Sequence, residues 1–87
     1  MIRKFLDCSA AHLSLQTREK FGITHPASVF IKVPPQQDGE TLTRAFERLA
    51  WPLDLILVAL KARRLGCHYI LFDRDAETIE GLEVYSD

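Results

Sequence analysis

Apolar and polar residues begin by alternating along Ile2-Arg3-Lys4-Phe5-Leu6-Asp7-Cys8, which predicts a strand close to the start of the chain. Ser9 to Leu13 reads as a connecting turn. Ser14 is placed to N-cap a short helix running to about Phe21, with Gly22 suited to the left-handed position after it. Ala27 to Val33 is rich in β-branched and aromatic residues and predicts a second strand, ended by Pro34-Pro35, which offer no N–H to a ladder. Gln36-Gln37-Asp38-Gly39 follows as a polar turn.

From Glu40 to Ala50 the period changes. Leu42, Ala45, Phe46 and Leu49 fall at helical spacing with Arg44, Glu47 and Arg48 on the other side, so an amphipathic helix is expected. Pro52 then suits the first turn of a new helix and Asp54 sits favourably near its positive end, predicting a break at Trp51-Pro52. Leu53, Leu55, Ile56, Leu57, Val58, Ala59 and Leu60 cover most of this helix's circumference. It must be buried on more than one side or carry a self-association face. Lys61, Arg63 and Arg64 complement its C-terminal dipole and Gly66 closes it.

Cys67 to Phe72 predicts a third strand, central because Tyr69-Ile70-Leu71-Phe72 is continuously apolar, and Leu82 to Tyr85 is suited to return as a fourth, antiparallel strand. The order β-α-β-α-α-β-β implies a compact two-layer α/β (or α+β) domain spanning 1–87, with a three- to four-stranded sheet and helices mainly on one face. The first three strands either run parallel, with right-handed crossovers, or form a mixed sheet.

At 87 residues the domain can bury only about two thirds of its unfolded surface, so its core must be efficient. With 47% apolar and 26% charged residues, the composition is that of a globular protein. Two cysteines, Cys8 and Cys67, are too few for a disulfide scaffold, and no secretory leader is evident; a reduced, cytoplasmic setting is expected. The run Leu55–Leu60 falls far short of the roughly 20 residues a membrane span needs.

The formal net charge of −1 hides a split. Residues 1–72 hold ten Lys/Arg against six Asp/Glu, whereas residues 73–87 hold one Arg against six Asp/Glu. Such a dipolar surface orients a partner, although a solvated acidic turn produces the same asymmetry. The basic residues are scattered over every element, so nucleic acid is not expected as a partner.

Asp73-Arg74-Asp75, directly after an apolar strand, resembles the nucleophile loop of haloacid-dehalogenase-type phosphatases, where one carboxylate attacks phosphorus beside Mg²⁺. That chemistry also needs a later lysine, and no lysine follows Asp75. Cys8, His12, Cys67 and His68 suggest a zinc set, but adjacent strand residues point to opposite faces, so Cys67 and His68 are poorly placed to share one ion. A Cys8/His12 nucleophile pair would need a helix to bring the two together. His12 is therefore expected to be a loop hydrogen-bonder. Trp51 is expected at the helix junction, as a plug or as an interface anchor.

Leu6-Asp7-Cys8-Ser9-Ala10-Ala11-His12-Leu13, Gly66 to Asp75 and Gly81-Leu82-Glu83-Val84-Tyr85 together resemble a family of small bacterial proteins of unassigned function found on plasmids, prophages and integrative elements. Pro52-Leu53-Asp54-Leu55 is similar to the start of that family's final helix. The resemblance implies a mobile-element accessory protein that acts on host machinery, and it carries no catalytic residue. The expected function is a non-enzymatic interaction protein, of the kind that inhibits host defence, without a cofactor. Its partner-binding residues would be Asp73, Asp75, Glu77, Glu80 and Trp51, with a homodimer through the Leu53–Leu65 helix as a further expectation. The alternative is a minimal metal-dependent hydrolase using Asp73 and Asp75.

Overall fold

The computed structural model describes residues 4–23, 29–35, 38–73 and 76–85. The elements are β1 (Phe5–Ser9), a 3-10 turn (Ala10–His12), α1 (Leu15–Lys20), β2 (Val29–Lys32), α2 (Gly39–Leu49), α3 (Leu53–Arg64) and β3 (Tyr69–Asp73). They form an α+β domain on a mixed sheet in the order β1-β3-β2, with β3 parallel to β1 and antiparallel to β2. The apolar run Tyr69–Phe72 is central because only a strand with a partner on each edge satisfies all its backbone groups away from water.

Helix ends follow the local signals. The Ser14 hydroxyl accepts from Thr17 N–H and α1 gives way to Gly22 at φ 70°. α2 begins one residue earlier than its apolar spacing suggests, because the Asp38 side chain accepts from Thr41 N–H as its N-cap. α2 ends at Ala50 with φ 55°, a left-handed residue with a Cβ, and the chain turns at Trp51-Pro52 into α3. Arg63 donates to the Pro34 carbonyl at 2.9 Å and ties the end of α3 to the segment after β2.

Cys8, Ile70 and Phe72 on the inner face of the sheet pack with Leu55, Val58, Ala59 and Ala62 of α3, and Leu42 and Phe46 bring α2 into the same core. Among the described residues no helix covers the outer face: Phe5, Asp7, Phe30 and Lys32 are exposed there. One expected element does not form. Leu82 to Tyr85 is not a strand, because Tyr85 N–H donates to the Ala11 carbonyl at 2.8 Å and the Glu83 carbonyl accepts from His12, so groups a ladder would use are spent on the 3-10 turn.

Candidate protein-docking surface

Two parts of the molecule gather the side chains from which a site can be built. The first is a cleft of about 260 Å³ lined by His12, Asp54, Leu57, Val58, Gly81, Leu82, Glu83 and Tyr85. His12 is buried. Its Nε2 accepts the Ile79 N–H and its Nδ1 lies against the Glu83 carbonyl, both at 2.8 Å. Since the Ile79 N–H can only donate, Nε2 is the bare nitrogen and Nδ1 carries the hydrogen given to Glu83. The ring is a staple between the 3-10 turn and the acidic segment, with no nitrogen left to act as a base.

Asp54 is equally committed. Its Oδ2 accepts Ser14 N–H at 2.8 Å, and its Oδ1 accepts the Thr17 hydroxyl and Leu55 N–H, each at 2.9 Å. Burial pushes the carboxyl up, but the donors from Ser14, Thr17 and Leu55 outweigh it and hold the group below its ordinary value. Desolvation raises the Tyr85 phenol, and the carboxylates of Glu83 and Asp54 add to the rise. The sequence marks Asp54 as a first-turn acid but carries no signal for its tie to α1, nor for the closure of His12 onto Ile79 and Glu83.

The Cys8 thiol is fully buried and pushed up to about 12, by burial first and by the Asp7 carboxylate second. It packs as a small hydrophobe. With both His12 nitrogens engaged by backbone, the Cys8/His12 pair has no free base. Cys67 is half-buried, His68 exposed, and among the described residues no three His, Cys, Asp or Glu gather as metal ligands.

The second part is apolar. On α3, Leu53, Leu57 and Leu60 point to solvent, 70%, 43% and 43% exposed, at spacings of four and three that keep them on one face. A cleft of about 470 Å³ runs along one side of this ridge, between Leu42, Phe46 and Trp51 on one wall and Ile56 and Leu60 on the other. On the other side Leu57 and Leu60 join Lys61, Arg64, Glu80, Gly81 and Leu82 around a cleft of about 250 Å³.

The residues singled out from sequence divide between these walls. Trp51 is half-buried at the α2–α3 junction, 5.5 Å from the Phe46 ring and 6.4 Å from the Phe21 ring, so it is both the expected plug and part of a cleft wall. Glu80 lines the opposite cleft, and Glu77 is exposed on the same segment. Asp73 ends β3, half-buried, on the outer face of the sheet, apart from either cleft. Asp75 lies outside the described residues, as do the ends of the expected first and second strands and Gln36-Gln37 of the polar turn. The site thus brings Trp51 and Glu80 to either flank of the α3 ridge and leaves Asp73 elsewhere.

Residues 5–87 match the family model described as "Family of unknown function (DUF5983) C-terminal domain". The chain belongs to this family. The match agrees with the resemblance at the two ends as far as a family of unassigned function. No curated protein and no solved structure matches the chain. In this DUF5983 domain, no helix among the described residues is long and apolar enough to cross a membrane.

Proposed function

We infer that this DUF5983 domain is a non-enzymatic interaction module that docks a partner protein along the outer face of α3. The carrying observation is the Leu53, Leu57 and Leu60 ridge, exposed between two clefts in a domain too small to leave such surface open without cost. The Trp51 cleft, with Glu47 in its lining, offers an anchor pocket of the kind an apolar side chain fills, and Glu80 lines the cleft on the other side of the ridge with Lys61 and Arg64. The occupant that fits is an amphipathic helix whose apolar face is bordered by a basic residue toward Glu47 and by mixed charges toward Glu80, Lys61 and Arg64. The resemblance at the two ends supplies the setting: a mobile-element accessory protein acting on a host complex, inhibition of a defence machine being the specific form.

The test is capture from a bacterial lysate at moderate salt, identification of the captured protein, and titration of the two purified proteins. Leu57→Asp is expected to weaken that reconstituted binding at least tenfold with the circular dichroism unchanged, and Glu80→Lys to weaken it in a salt-dependent way. Binding that survives both substitutions, or no captured partner across several hosts, refutes the reading.

A further inference from the structure

The outer face of the sheet is a large surface that neither the core nor the α3 ridge uses. Register places its side chains in two rows: Phe5, Tyr69 and Lys32 across the first, Asp7, Leu71 and Phe30 across the second. Phe5 and Phe30 are 52% and 61% exposed, on the two edge strands, yet their rings meet edge to face at 5.7 Å between centroids. They lean toward each other over β3 and make one aromatic ridge with the half-buried Tyr69 and Leu71. A negative and a positive side chain stand at opposite corners: Asp7 beside Leu71 on β1, and Lys32 beside Tyr69 on β2. Both are exposed, and neither is in an ion pair among the described residues.

This arrangement is complementary to itself. We propose that the outer sheet face is a homodimer interface, in which a second copy packs face to face about a two-fold axis that sets Asp7 of each copy against Lys32 of the other. An in-plane axis crossing the Asp7–Lys32 diagonal leaves the Phe5 and Phe30 rings near the centre of the interface. Two-fold interfaces are built from one patch meeting itself, and opposite charges at mirrored corners fix the register of that meeting. The strands of the two sheets then cross steeply, as in orthogonal sheet packing. A single-stranded nucleic acid stacking on the same rings is disfavoured because the exposed charges of this face, Asp7 and Lys32, balance and form no basic stripe along which a phosphate backbone could run.

The size of the face sets the strength. Three strands about 4.8 Å apart and two to three rows of side chains give a footprint roughly 14 by 17 Å, about a third of the roughly 800 Å² per partner of a standard specific interface. A weak dimer, populated only toward the upper end of the range from about 10 µM to 1 mM, is expected.

Sedimentation velocity of the purified chain from about 10 µM to 1 mM tests this, with circular dichroism to confirm that each variant is folded. The wild type is expected to shift from monomer to dimer over that range, and Phe30→Ser to remain monomeric. Asp7→Lys and Lys32→Asp are each expected to weaken association tenfold or more, because each places like charges at both corners of its own dimer. Mixed in equal amounts, the two variants restore both opposite-charge pairs, and the mixture is expected to associate as the wild type does. A wild type that stays monomeric at 1 mM, a dimer indifferent to these changes but broken by Leu57→Asp, or a mixture that fails to recover would overturn the proposal.

Discussion

The backbone N–H of Ile79 donates to Nε2 of His12 over 2.8 Å, closing a loop of 67 residues with one imidazole. The same ring reaches Glu83, and Tyr85 N–H adds a bond to Ala11, so the irregular acidic segment is fixed at three points without a strand. This anchoring presents Glu80 and Leu82 beside α3. Replacing His12 by Ala removes a buried ring and takes the partner from the partly buried Ile79 N–H and Glu83 carbonyl, and a destabilisation of about 2 to 4 kcal/mol is expected. Urea unfolding reads the loss, and hydrogen exchange at the Ile79 amide is expected to rise ahead of that at Ile70 in the core.

Asp54 makes stability depend on acid. Burial pushes its carboxyl up and the donors from Ser14, Thr17 and Leu55 more than offset that, so its folded value lies below the unfolded one of about 3.9. The stabilisation is therefore complete above the unfolded value and is lost as pH falls below about 4 and passes through the folded value. Asp54→Ala is expected to cost about 2 to 4 kcal/mol at pH 7, and the difference from wild type to shrink toward pH 2. Denaturation midpoints measured between pH 2 and 7 check both the size and the sign. A wild type whose midpoint rises on acidification would contradict it.

The two cysteines should differ in reactivity. Burial and the Asp7 carboxylate push the Cys8 thiol up to about 12, so almost none is thiolate at pH 8. A thiol reagent at pH 8 is expected to titrate the half-buried Cys67 first and to reach Cys8 only at the rate of unfolding. Cys67→Ala then leaves a folded protein with no fast-reacting thiol.

Ala50 carries a Cβ at φ 55°, where its carbonyl accepts from Lys20 Nζ at 3.3 Å. Left-handed backbone costs an L-residue roughly 1 to 2 kcal/mol, of which the greater freedom of an unfolded glycine returns part. Ala50→Gly is expected to stabilise the domain by about 0.5 to 1 kcal/mol, read as a higher urea midpoint with an unchanged slope.

The site was legible only in part. Trp51 at a helix junction follows from Pro52, which forces the chain to break there, and the apolar surplus of Leu53–Leu60 is visible as seven apolar positions on a single helix. Which of them face water is not visible, because a helix apolar on most sides has no hydrophobic face to read until its neighbours are placed. The acidic segment reads as a returning strand for a related reason: Leu82-Glu83-Val84-Tyr85 alternates as a strand does, but its backbone partners lie on the 3-10 turn after β1. The α1–α3 tie through Asp54 has no signature in the sequence, because an acid in a first turn is satisfied by the helix dipole alone.

By itself the sequence determined the three helices, the ends of α1 and α3 through Ser14, Pro52, Gly22 and Gly66, and the central place of Tyr69–Phe72, because these rest on contacts between near neighbours or on an unbroken apolar run. Tertiary structure alone decided the direction of β2, the capture of Ile79 and Glu83 by His12, and which leucines and phenylalanines remain uncovered. Those depend on partners tens of residues away, where pairing is set by the geometry of the packed layers, and no local spacing encodes it.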